Sequence, residues 1–155
     1  MATVRGDMLN FTSYISAVPE LIVCMTDTLL HLESKDQVRE LFSKVFNHLE
    51  IPGRFVITFR DLSKELESLD RFIPVKQDDS KIFTCFLEYE PETVKVHDLL
   101  YKNVDDQWSL NKSFYRKLRL SPDWVEDSLM ATGFGNVSLE VENGVVIAIA
   151  KKTRA

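Results

Sequence analysis

The sequence predicts an α/β fold, read as the second half of an open ligand-binding sheet with an antiparallel β meander inserted into it. Three observations predict this. Leu21 to Met25 is a short apolar run rich in β-formers, with the look of a strand buried on both faces, and it ends in Thr26, Asp27 and Thr28. Strand, helix and strand then alternate to the end of the chain. Between residues 81 and 118, three runs of β-branched and aromatic residues break the helical pattern. In open α/β sheets, ligands are held just past the carboxyl ends of the strands, so the polar residues after Met25 mark the candidate site.

The elements follow in order. Met8, Phe11, Tyr14, Ile15 and Val18 have helical spacing, closed by Pro19. Ser34 is placed to cap the next helix, and Gln37 completes a capping-box pattern. Val38, Leu41, Phe42, Val45, Phe46 and Leu49 then give that helix one apolar face. Ile51-Pro52-Gly53 stops it. Arg54 to Phe59 is a second apolar strand, with Arg60 and Asp61 at its carboxyl end. A short polar helix is expected over residues 63–69. The meander is expected as three strands, 81–89, 93–101 and 108–118, turning at Pro91-Glu92 and Asp105-Asp106. Ser121-Pro122 starts a helix that Gly133 ends. Trp124, Val125 and Leu129 form its buried side. Residues 136–142 and 145–150 flank Asn143-Gly144, the pair suited to a type I′ hairpin turn. Both Trp108 and Trp124 are expected in the core.

Bulk properties narrow the class. A chain of 155 residues is near the usual size of one domain, and an apolar share of 45% is enough for one core. The net charge of −5 argues against a nucleic-acid binder, which needs a basic face. No apolar run approaches the ~20 residues of a membrane span, and no signal-peptide core stands at the N-terminus. Cys24 and Cys85 lie in apolar strand patterns without metal-type spacing. They read as buried free thiols in a reducing compartment, so a cytoplasmic location is expected.

Several stretches together resemble a known family. ELIVCMTDTLLHL is similar to the fourth-strand motif of class I S-adenosylmethionine-dependent methyltransferases, with its aspartate after the strand. HLEIPGRFVITF resembles their helix, Pro-Gly turn and fifth strand. SPDWVEDSLMATGF follows an insertion resembling the β cover of several such enzymes, and GFGNVSLEVENGVVIAIAKK resembles the terminal hairpin. Gly6-Asp7-Met8 resembles the acidic pair after the third strand. The resemblance is to the C-terminal half of the small-molecule type. It implies a partial Rossmann-like sheet in the family's strand order 4-5-7-6. It also implies one truncated domain over 1–155, with 78–120 as a substrate cover. S-adenosylmethionine is the cofactor implied, and a small molecule the methyl acceptor.

The departures are specific. The family's Gly-x-Gly-x-Gly loop and its ribose-holding acid are not found, and none of the five glycines (6, 53, 133, 135 and 144) fits that loop. The cofactor site is therefore expected to be incomplete. Residues 2–6 are not expected to sit as the family's third strand. Thr26 stands where the family has glycine before the aspartate.

For the implied site, Asp7, Met8, Met25 and Thr26 lie toward the cofactor, and Asp27 and His31 are the catalytic candidates. Asp27 is a post-strand carboxylate or else a helix cap. His31 is a general base or else a hydrogen-bonded structural residue. Arg60 and Asp61 hold substrate or form a surface ion pair. Tyr115 and Arg116, with Lys117 and Arg119, are a basic-aromatic cluster for an acidic substrate or else a solvated strand face. Two function classes stand: a methyltransferase whose cofactor half is supplied by another segment or chain, and a non-catalytic module for binding or dimerisation. A homodimer is expected through strand 21–25 or the surface beside it, because that strand would be a bare edge.

Overall fold

The structure, a computed structural model, describes residues 3–153. The chain divides into two compact units, Met1–Asp61 with Leu120–Ala155, and Leu62–Arg119.

The first unit is a four-stranded sheet with two α-helices. Its elements are β1 (Leu21–Cys24), α1 (Lys35–His48), β2 (Gly53–Arg60), α2 (Pro122–Thr132), β7 (Asn136–Glu142) and β8 (Val145–Lys152). The sheet order is β1-β2-β8-β7, with β1 parallel to β2 and the last two pairs antiparallel. In the family's numbering this is the expected 4-5-7-6. The core lies where Phe55, Ile57 and Phe59 of β2 face α1, all at most 1% exposed. Phe42 of α1 meets Phe55 edge-on at 5.9 Å. Each such side chain contributes about 1.5–3 kcal/mol by leaving water.

Local signals explain where the elements begin and end. Ser34 Oγ accepts the Gln37 N–H at 3.2 Å, and Gln37 Oε1 reaches back to the Glu33 N–H at 2.9 Å, one residue beyond the usual reciprocal partner. Gly133 ends α2 at φ +118°, a conformation that costs glycine least. Asn143 and Gly144 have φ of 51° and 77°, the two positive values of a I′ turn. At the far end of α1, the ammonium of the buried Lys152 donates to the Phe46 and Leu49 carbonyls at 2.7 and 3.0 Å. A cation there satisfies the last orphan carbonyls and complements the helix dipole.

The second unit is one antiparallel sheet in sequence order: β3 (Phe72–Asp78), β4 (Lys81–Tyr89), β5 (Thr93–Val104) and β6 (Gln107–Leu118). It has four strands rather than three and begins at Phe72, before residue 78. Its small core is Leu87, Val94 and Val96, packed by Leu62, Ile73, Cys85 and Tyr89. The other face carries an aromatic row in register across all four strands: Phe72, Phe86, His97 and Phe114, with successive ring centroids 4.7, 5.8 and 5.9 Å apart.

Other expectations are corrected. The helix over 8–18 is a 3-10 turn at Met8–Ser13 only, and that over 63–69 is a 3-10 turn at Ser68–Arg71. Neither segment has an apolar stripe long enough to fix a full helix. Trp108 is 50% exposed at the start of β6, and Trp124 is half-buried with the Arg39 guanidinium 5.1 Å above its ring. The strand expected to be buried on both faces has one bare face: Leu21 and Val23 are 52% and 53% exposed. Residues 3–6 form no strand, and residue 2 lies outside the described residues.

Both cysteines are free and half-buried. Burial pushes the Cys24 thiol from 9.0 up to about 11, against the opposing effect of a backbone hydrogen bond with Leu29. Cys24 is therefore expected to react with iodoacetamide slowly at pH 8 and readily only as pH nears 11. Between these values the folded chain keeps a proton that the unfolded chain loses, so this thiol's contribution to stability is whole below about pH 9 and fades as pH rises toward 11. Labelling at pH 8 as fast as free cysteine would contradict this.

Candidate functional site at the strand ends

The carboxyl ends of the two parallel strands, β1 and β2, bring Met25, Thr26, Asp27, Arg60 and Asp61 to one rim of the first unit. Parallel pairing sets this: Cys24 lies beside Ile57, so both chains leave the sheet on the same side. Asp27 Oδ1 accepts the Arg60 backbone N–H at 2.9 Å, and Arg60 Nε lies 3.7 Å from Asp27 Oδ2. The Asp27 side chain is only 18% exposed, whereas that of Arg60 is 64% exposed. Asp27 makes no side-chain cap to the 3-10 turn Thr28–His31. One of its oxygens instead pins β1 to β2 across 33 residues of sequence.

Thr26 is the strained residue of this rim. Its φ is +60°, a region that β-branched side chains rarely adopt. The Thr26 N–H donates to Thr58 Oγ1 at 2.6 Å, and its own hydroxyl turns back to the Met25 carbonyl at 2.6 Å. Thr28 Oγ1 donates to the same carbonyl at 2.8 Å. The backbone shape that glycine takes most readily is thus held by a threonine through these bonds. Thr26→Gly is expected to raise stability by about 1 kcal/mol in chemical denaturation. A lower stability would mean that the hydroxyl bond outweighs the strain.

His31 ends the 3-10 turn that starts from this rim and is exposed. Asp61 donates its N–H to the Gly144 carbonyl at 3.0 Å, tying the β7–β8 turn to the end of β2. Asp7 and Met8 are placed differently. Asp7 Oδ1 accepts the Leu9 N–H at 2.8 Å and caps the Met8–Ser13 turn. That turn is fixed against α1 by Lys44 Nζ, 2.8 Å from the Leu9 carbonyl, and by Phe11 edge-on to His48 at 6.0 Å. Asp7 and Met8 are thus positioned by α1 rather than by a strand end.

In the second unit, Tyr115 and Arg116 are consecutive on β6 and point to opposite faces of the sheet. Tyr115 lies in register with Val96 on the core side, and Arg116 with Lys95 on the aromatic side. The Arg116 guanidinium spans both oxygens of Glu90 at 3.0 and 3.4 Å. This bond, with one from Thr93, holds the Glu90 carboxyl below its usual range. On the same face, hydrogen bonds from His97 and Lys95 hold Glu88 down likewise. Arg119 belongs to neither face. Its guanidinium donates to the Leu62, Ser63 and Glu90 carbonyls at 3.2, 2.9 and 2.9 Å and pairs with Glu65 at 2.7 Å. It closes the two ends of the unit on each other. Sequence reading missed this, because the acceptors are backbone atoms 29, 56 and 57 residues away.

The residues at the rim do not fit the whole of S-adenosylmethionine. None of the five glycines provides an open backbone approach after β1: Gly6 faces Tyr14, Gly53 the Glu50 carbonyl, Gly133 Phe46 and Gly135 Thr153, and Gly144 is in the hairpin turn. One oxygen of the Asp7 carboxylate accepts a backbone N–H. Among the described residues, no three His, Cys, Asp or Glu side chains gather as a metal site, and no helix is long and apolar enough to cross a membrane.

No family model and no curated protein matches the sequence. Solved structures do match the fold. The chain is similar to an S-adenosylmethionine-dependent methyltransferase from Clostridium acetobutylicum, with TM-score 0.75 and 16% identity over 96% of this chain and 63% of that one. It is similar to the CcbJ methyltransferase from Streptomyces caelestis, with TM-score 0.76 and 15% identity over 97% and 63%. A third is CalS10, an amino pentose methyltransferase from Micromonospora echinaspora, with TM-score 0.71 and 12% identity over 94% and 62%. The chain spans less than two thirds of each. It has the fold of a part of these Rossmann-like proteins.

Proposed function

We infer that this chain is the acceptor-side portion of an S-adenosylmethionine-dependent methyltransferase acting on a small molecule. The observation that carries this is the rim at the ends of β1 and β2, with Asp27, Arg60 and Asp61 on a sheet in the order β1-β2-β8-β7, the fold of the methyltransferases above. In this reading the rim holds the acceptor and takes up its proton. Asp27 is the candidate base because the strand and the Arg60 amide fix it, and His31 is the alternative, one turn further on. Arg60, exposed beyond Asp27, holds an anionic or hydroxyl group of the acceptor. The cofactor contacts missing here come from another segment or chain.

The test is a methyl-transfer assay. The protein is purified from its own source with whatever accompanies it, and given methyl-labelled S-adenosylmethionine and a panel of small amines and hydroxy compounds. Transfer that Asp27→Ala abolishes supports the reading, and no transfer to any acceptor overturns it. The isolated 155-residue chain is expected to bind S-adenosylmethionine weakly or not at all in calorimetry, and micromolar affinity would show that its site is complete. The second reading is a non-catalytic binding or dimerisation module, in which the hydrogen bonds of Asp7 and Asp27 are structural only. The same assay separates the two.

A further inference from the structure

The ladder between β1 and β2 ends at the pair Cys24 and Ile57, and beyond it two bonds of another kind join the strands. Thr58 Oγ1 accepts the Thr26 N–H at 2.6 Å, and Asp27 Oδ1 accepts the Arg60 N–H at 2.9 Å. Thr58 and Arg60 stand two apart on β2, so their side chains leave the same face of the strand. Running outward, β2 offers an acceptor and then a donor. The segment leaving β1 answers with a donor and then an acceptor. Two of these four groups are side chains: the Asp27 carboxylate and the Thr58 hydroxyl. Thr26 needs such a hold, because its φ of +60° is disfavoured for a β-branched residue and would relax to a negative value on release. The other two bonds of this turn run from the Thr26 and Thr28 hydroxyls to the Met25 carbonyl. They are local to residues 25–28 and would move with it.

We propose that Thr58 is a positioning residue for Asp27: its hydroxyl holds Thr26 in the left-handed conformation and so sets where the Asp27 carboxylate stands. A turn of the chain about φ at Thr26 swings whatever follows it, and Asp27 follows directly. Thr58 is therefore the group on the neighbouring strand that decides whether the Asp27 carboxylate meets the Arg60 N–H. Its part in the rate rests on the methyltransferase reading, in which Asp27 is the base and Thr58 acts through it. A base displaced by an ångström loses much of its effect, so a hydroxyl two residues from the nearest substrate contact of that reading, Arg60, can control turnover. The chemistry required of residue 58 is one acceptor oxygen on a strand. Serine supplies that oxygen. Valine keeps the β-branched shape suited to a strand and removes it.

Thr58→Val and Thr58→Ser test it, by amide hydrogen exchange in the 155-residue chain and by the methyl-transfer assay. Valine is expected to speed exchange at the Thr26 and Arg60 amides on the order of tenfold, leaving the β1–β2 ladder amides as they were. Serine is expected to keep the parent's exchange at both. Where the parent transfers methyl groups, valine is expected to lower kcat on the order of a hundredfold with KM unchanged, and serine to recover most of the loss. Exchange in Thr58→Val that is unchanged at Arg60, or faster throughout the ladder, overturns the proposal. Thr58 would then act on Thr26 alone, or on the sheet as a whole. A parental kcat in Thr58→Val overturns it too. A parent that transfers no methyl group overturns the methyltransferase reading instead, and exchange at Arg60 still decides whether Thr58 positions Asp27.

Discussion

Arg119→Ala is expected to destabilise the Leu62–Arg119 unit by about 3–5 kcal/mol. The guanidinium is only 14% exposed and serves three backbone carbonyls and the Glu65 carboxylate, with its central carbon 5.3 Å from the centre of the Tyr89 ring. Removing it strands three carbonyls in a partly dry setting. Lysine is not expected to rescue it, because one ammonium cannot reach three acceptors arranged for a planar fork. Denaturant titration gives the loss. Amide exchange at residues 62–66 locates it, with fast exchange there in the variant. If Arg119 only decorated a solvated strand, alanine would cost less than about 0.5 kcal/mol and exchange would not change.

In any form of the protein that transfers methyl groups, Asp27→Ala is expected to lower kcat on the order of 10²–10⁴-fold, and His31→Ala by much less. The position of Asp27 is fixed twice, by the end of β1 and by the Arg60 amide, and a base works only from a fixed position. Asp27→Asn separates its two roles. Asparagine still accepts the Arg60 N–H but carries no charge, so this variant should keep the stability of the parent and lose the rate. If Asp27→Asn kept the rate, the residue would be a positioning group for β2. If His31→Ala were the more damaging change, the assignment of base would pass to His31.

Sequence signals acting over a few residues were legible. Ser34 with Gln37, Ser121-Pro122, Gly133 and Asn143-Gly144 each act within one turn, and each stands where expected. The sheet order followed from the resemblance and from the apolar runs of β1, β2 and β8. The strand β3 was hidden by Pro74 and its charged neighbours. Its edge position tolerates them, with a register shift between Pro74 and Lys76. The bare face of β1 was illegible for another reason: an apolar run reports what a strand can bury, not what is present to bury it. The roles of Asp27 and Arg119 depend on backbone atoms far away in sequence, which no spacing rule reaches.

The clasp formed by Arg119 also bears on how such a chain can change over generations. The second unit leaves the first after Asp61 and returns at Leu120, and its two ends lie within a single side chain's reach of each other. A short turn could close the gap left by its removal at little entropic cost, because loop closure depends only weakly on length. The meander is therefore a cassette. It can be lost, lengthened or exchanged by a single insertion or deletion while β1, β2 and β8 keep their register. Diversity among chains built on this plan is expected to concentrate in that cassette, leaving the strand-end rim unchanged.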